Sequence, residues 1–166
     1  MPLLDRLATL SGFVAALFLA MIGIVVAAQI VGRLMGHQIP GADDLAAWSM
    51  AASVFLALPY TLLRGDHIRV TLLLQFLPER AVKPYEVVAT LIGFALSAWG
   101  AWSVSEFVYE SYVYNEVAQG MLNVPLWPVQ ICMPIGMILL AAIMFKRLIA
   151  CIRGQQIERV EGASHG

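Results

Sequence analysis

The stretch LATLSGFVAALFLAMIGIVVAAQIVG, residues 7–32, contains no charged side chain. A helix needs about 20 apolar residues to cross the hydrocarbon core of a bilayer. Inside lipid a backbone must satisfy its own N–H and C=O groups, so this run predicts a membrane-spanning helix. The competing reading is a secretory leader, because Val26-Ala27-Ala28 resembles a cleavage site. The run is longer than the apolar part of a typical leader, which favours the span. The rest of the chain has the same character. It has 166 residues, 60% of them hydrophobic and 13% charged, against about 25% charged in a soluble domain.

Three more apolar runs follow. Asp43 and Asp44 open the second, where acids suit the positive end of a helix dipole, and Trp48 sits at an interfacial depth. Pro59 is expected to bend that helix near its far end. The third run is free of charge over residues 87–105. Tyr109, Tyr112 and Tyr114 extend it as part of an aromatic belt. The fourth starts at Val124-Pro125-Leu126-Trp127-Pro128 and carries Pro134 and Gly136 inside it. Proline suits a first helical turn. The chain is thus expected to be an all-α integral membrane protein with four spans, at about 8–33, 44–63, 84–112 and 125–152. Residues 1–154 form a single membrane domain, and residues 155–166 form a mobile tail.

Between the second and third spans stands Leu63-Arg64-Gly65-Asp66-His67-Ile68-Arg69-Val70, the densest group of charges near the middle of the chain. Asp66 is a suitable N-cap for a short helix over residues 68–77. Ile68, Leu72, Leu73 and Phe76 share one face of that helix. About ten residues cannot span a bilayer, so the segment is expected to lie in the membrane plane. The tripeptide Arg64-Gly65-Asp66 spells an adhesion motif, but tripeptides recur by chance.

Charge sets the orientation. Four spans put both termini on one side, together with the loop after span two. That side holds Arg6, Arg64, Arg69, Arg80, Lys83, Lys146, Arg147, Arg153 and Arg159, and the other side holds Arg33 alone. Cytoplasmic loops are enriched in Lys and Arg, so both termini are expected in the cytoplasm. The opposite face then carries Asp43, Asp44, Glu106, Glu110 and Glu116 and is acidic.

Several chemistries find no support. No span has an ionisable residue near its middle, where ion-coupled carriers place acids, bases or broken helices. His37, His67 and His165 all fall in loops or the tail, so no pair of histidines faces across the bilayer to hold haem. No phosphate loop, nucleophile motif or metal-ligand spacing occurs, and neither an enzyme nor a cofactor is expected. Cys132 and Cys151 lie about 28 Å apart along one helix, too far for a disulfide. Gly93, Ser97, Ala101 and Ser105 recur every fourth residue, a small-residue ladder that admits a second helix closely, either within this chain or from another. These features describe a membrane subunit that packs against something else.

Three stretches, in this order, carry a resemblance. The first is Gln29-Ile30-Val31-Gly32-Arg33 with Pro40-Gly41-Ala42-Asp43-Asp44-Leu45 and Trp48. The second is Arg64 to Val70 with Leu77-Pro78. The third is Val124-Pro125-Leu126-Trp127-Pro128 with Pro134-Ile135-Gly136. Together they resemble the small four-helix membrane subunit of tripartite ATP-independent periplasmic (TRAP) transporters, over nearly the whole chain. The chain departs from the family's wording at Gly41-Ala42-Asp43-Asp44, where a tryptophan and a glutamate pair are common.

The resemblance implies a bacterial inner-membrane, multi-pass protein. Its expected partners are a large membrane carrier subunit, a periplasmic solute-binding protein and membrane lipids, with no nucleic acid. It implies uptake of organic acids, carboxylates or sugar acids, with sodium coupling in the large subunit and no cofactor here. In that setting Asp43, Asp44, Glu106, Glu110 and Glu116 are candidates for docking the binding protein, with solvated loop charge as the plain alternative. Arg64, His67 and Arg69 are candidates for lipid or large-subunit contact, with topology-setting charge as theirs. Two other classes compete: a cofactor-free anchor of a membrane enzyme complex, and a self-standing small exporter. The exporter is disfavoured by the uncharged first span.

Overall fold

The computed structural model describes residues 2–37, 39–64, 79–120 and 123–153. Four helices among them are long and apolar enough to cross a membrane: Leu3–Leu34, Ala42–Arg64, Pro84–Val113 and Trp127–Ile152. As continuous elements they are α1 (Pro2–Leu34), α2 (Ala42–Arg64), α3 (Glu79–Val113), a single turn α4 (Trp127–Gln130) and α5 (Cys132–Ile152). The described chain is all helix and loop apart from one isolated β-bridge between Val117 and Pro125. The expected interfacial helix over 68–77, with His67 and Arg69, and the tail over 155–166 lie outside the described residues.

Two of the long helices outrun a bilayer. α1 has 33 residues and α3 has 35, about 50 Å each at about 1.5 Å per residue. A hydrocarbon core is about 30 Å thick, so these helices extend past it or tilt within it. α3 begins five residues ahead of the expected position and carries Pro84 inside its early turns. The fourth span is interrupted once, between α4 and α5 at Ile131. Pro134 has no N–H to give to the carbonyl of Gln130, four residues earlier, and its ring crowds that carbonyl. The interruption falls one residue beyond the orphaned group.

α2 and α5 form the centre. α1 packs mainly on α2, α3 packs mainly on α5, and α2 and α5 pack on each other. The core side chains are mostly small. α2 buries Ala42, Ser49, Ala52, Leu56 and Pro59, spaced by threes, fours and a seven. That is the seam spacing of helices that pack side by side. α1 answers with buried Ala8, Ser11 and Ala15. Lipid tails are as apolar as leucine, so membrane helices associate through close packing, which small residues allow.

The glycines mark the closest approaches. A Cβ on Gly136 of α5 would strike the carbonyl of Phe55 in α2, backbone against backbone. A Cβ on Gly12 would come within 2.5 Å of the Tyr60 ring, fixing the α1–α2 crossing. A Cβ on Gly100 would meet only the flexible end of Met137.

Candidate functional site

Polar chemistry sits at the two ends of the helix array, with apolar surface between them. At the end formed by the α1–α2 connection and the 114–126 segment, the acids are held by defined partners. The Gln29 amide Nε2 donates to Asp43 Oδ1 at 2.8 Å, across the connection from α1 to α2. The Asp44 carboxylate stands against Gly120, where no Cβ would fit, so the two loops meet at this point. The Ser111 hydroxyl, fully buried, donates to Glu116 Oε2 at 3.0 Å. The backbone N–H of Glu116 also returns to the carbonyl of Ser111 at 3.0 Å.

A left-handed residue makes that return possible. Asn115 has φ 49°, a conformation that Asn adopts more readily than most side chains. Two backbone bonds, Ala118 N–H to Val124 O and Leu126 N–H to Glu116 O, both 2.9 Å, then close a small hairpin. Tyr112 packs edge-on against Trp127 with ring centroids 5.5 Å apart, tying the hairpin to α3. Asp44 and Glu116 therefore belong to one loop layer joined at Gly120. Glu106 and Glu110 lie apart from it, exposed on α3.

At the other end the start of α1 meets the later turns of α5. Lys146 Nζ donates to both carboxylate oxygens of Asp5, at 2.7 and 2.9 Å. Arg147 Nη2 donates to the carbonyl of Leu62 at 2.9 Å. Leu62 is in the last turn of α2, where carbonyls lack intrahelical partners, so Arg147 caps α2 from α5. The Arg64 guanidinium lies 5.6 Å from the centre of the Tyr60 ring. Tyr60 in turn covers Gly12. Arg64 thus closes a stack that runs from α1 through α2.

The small-residue ladder lies on the α3–α5 contact. A Cβ on Gly93 would touch Met144 of α5 at 3.4 Å, and Ser97 and Ala101 are buried. The Ser97 and Ser105 hydroxyls donate to their own helix, to Phe94 O at 3.0 Å and Ala101 O at 2.6 Å. Phe94 and Phe145 meet beside the ladder with centroids 5.4 Å apart. Gly93, Ser97 and Ala101 face this chain's own α5, while half-buried Ser105 borders a groove that opens beside it.

Sequence reasoning overlooked Asp5 and Gly120, whose partners lie far along the chain, and Ser111, whose bond to Glu116 depends on the left-handed turn at Asn115. Gln130 is buried at the α4–α5 interruption, and its Oε1 has no hydrogen-bond partner among the described residues. Also among the described residues, no three His, Cys, Asp or Glu side chains group as metal ligands. Cys132 and Cys151 are free thiols. What this arrangement offers chemically is adhesion: shape and apolar surface in the membrane, and fixed charge at both ends.

No curated protein matches the chain. A family model, described as "Tripartite ATP-independent periplasmic transporters, DctQ component", matches residues 21–154. That length takes in residues 21–34 of α1, all of α2, α3, α4 and α5, and the acidic loop layer. With four helices fit to cross a membrane, the chain belongs to the DctQ-component family: it is a small membrane subunit of a TRAP transporter.

Proposed function

We propose that this chain is the accessory, scaffold-side permease subunit of a sodium-coupled, binding-protein-dependent importer of organic acids. In this reading it resides in the bacterial inner membrane with both termini cytoplasmic, packs on the large carrier subunit and helps dock the periplasmic binding protein. One observation supports it above the others. Every charged side chain of the described helices lies toward a helix end, and residues 7–32, 45–63, 87–105 and 117–145 carry none. A carrier that couples ion and solute movement needs charge or broken helix at the midplane. That machinery therefore belongs to the partner, and this subunit contributes surface.

The acidic end supports the docking role. Asp43, Asp44 and Glu116 are presented by a loop layer that hydrogen bonds hold in shape. Fixed surface charge steers the encounter with a complementary partner and adds modest affinity. Reversing Asp43 and Asp44 to lysine together is the test, in the assembled transporter. Uptake at limiting binding protein is expected to fall at least tenfold at low salt, with assembly unchanged and partial recovery at saturating binding protein. Full uptake at limiting binding protein removes the docking role.

A further inference from the structure

Resting on the reading of this chain as a TRAP small subunit, we infer that the face of α3 carrying Trp99 and Trp102 is the surface seated on the large carrier subunit. Of the chain's four tryptophans, two stand where a bilayer favours them. Trp48 lies near the start of α2, and Trp127 opens α4. Tryptophan concentrates at membrane interfaces because its ring is apolar and its N–H needs water or an acceptor.

Trp99 breaks that pattern. It lies within the charge-free stretch 87–105, about 5 Å past its middle at the helical rise, whereas Trp102 stands four residues before Glu106, as Trp48 stands four after Asp44. Both rings are open, 70% and 73% exposed. Neither indole N–H is hydrogen-bonded among the described residues. A lipid tail offers no acceptor, and an unpaired donor in hydrocarbon is costly. A protein partner supplies backbone and side-chain acceptors at that depth.

The surroundings fit a helix. Val88, Ile92, Trp99, Trp102 and Tyr109 recur at threes, fours and sevens on α3 and are all exposed. This is the spacing by which one helix lays a seam against another. Beside the seam runs a groove of about 700 Å³ between α3 and α5, floored by Ala98, Ala101, Ala141 and Ala142 and walled by Trp102 and Phe145. Small residues on the floor let a neighbouring helix sink in. The outward face of α1 also exposes small residues, Ala16, Ala20, Gly23 and Ala27, but carries no tryptophan. Its large exposed side chains there include Leu10, Phe13, Leu17 and Ile24, which have no polar atom and which lipid tails cover at no cost.

The test uses the chain co-expressed with its large subunit. Trp99→Leu with Trp102→Leu keeps the face compatible with lipid, and Phe13→Leu with Leu17→Ala is the control on α1. The tryptophan pair is expected to lower co-purified large subunit at least tenfold in mild detergent while leaving membrane insertion and yield of this chain unchanged. The control is expected to change recovery less than twofold. A photo-crosslinking phenylalanine analogue at position 99 is expected to capture the large subunit, and the same analogue at position 13 to capture lipid. If position 99 captures only lipid, or a second copy of this chain, or if the tryptophan pair leaves recovery intact, the assignment is overturned. If the wild-type chain itself retains no large subunit, the subunit reading fails first.

Discussion

The central pair of helices and the two flanking helices are built differently. α2 and α5 touch backbone to backbone at Phe55 and Gly136 and bury Leu56, Pro59, Ile143 and Leu148 around that crossing. α1 and α3 touch their neighbours through side chains. Gly12 of α1 lies under a tyrosine ring, and Gly100 of α3 lies under the tip of a methionine. The flanks turn most of their apolar surface outward. The centre therefore fixes the fold, and the flanks hold surface in reserve for lipid or partners. The same added methyl group should cost very different amounts in the two regions.

Gly136→Ala is the sharpest way to break this contrast. The new Cβ meets the Phe55 carbonyl, and main chain cannot yield as a side chain can, so the loss is expected to reach about 3 kcal/mol, the upper range for overpacking. A fall in folded yield and in thermal stability in detergent would show it. At Gly12→Ala the obstacle is the Tyr60 ring and its Cβ at 2.7 Å; the ring can move only by disturbing its stack with Arg64, and the Cβ only with a slight shift of α1 against α2. About 1–2 kcal/mol is expected there. Equal costs at positions 136 and 12 would mean that the α2–α5 crossing is no more rigid than the flank.

How far these contacts could be read in advance depended on their range along the chain. The four spans were legible because hydropathy is local: a charge-free run of sufficient length has few alternatives. The acids at 43 and 44 opening α2, the aromatic ends and the ladder every fourth residue on α3 were legible for the same reason. The partners across helices were not. Nothing near Gly136 announces Phe55, and nothing near Asp5 announces Lys146 at the far end of the chain. The ladder's spacing showed that a helix could approach but not which one. The interruption at Ile131 was within reach, since Pro134 orphans the carbonyl four residues before it. The hairpin closing at Val117 and Pro125 lacked the strand alternation that would have flagged it.

Smaller effects sharpen the comparison at its edges. The Asp5–Lys146 pair is 2.7 Å long, and its side chains keep 43% and 35% of their exposure. Exposed ion pairs contribute about 0.2–1 kcal/mol. A double-mutant cycle of Asp5→Asn and Lys146→Gln is expected to return a coupling in that range, falling with added salt. A coupling above 2 kcal/mol would make this link between α1 and α5 part of the core. Gly100→Ala should be nearly silent. The Met137 tip can swing aside, and alanine favours a helix over glycine by up to about 1 kcal/mol. A loss of 2 kcal/mol or more there would show that α3 is clamped as tightly as the centre.

In the proposed assembly this chain supplies surface to a carrier and is not itself the carrier. Reconstitution into proteoliposomes with and without an inward sodium gradient tests it most directly, with uptake of a labelled carboxylate as the readout. No gradient-dependent uptake is expected from this chain alone, and uptake is expected when the large subunit and the binding protein are both supplied with it. Sodium-driven uptake by this chain alone, or full-rate uptake by the large subunit and binding protein without it, would contradict the account.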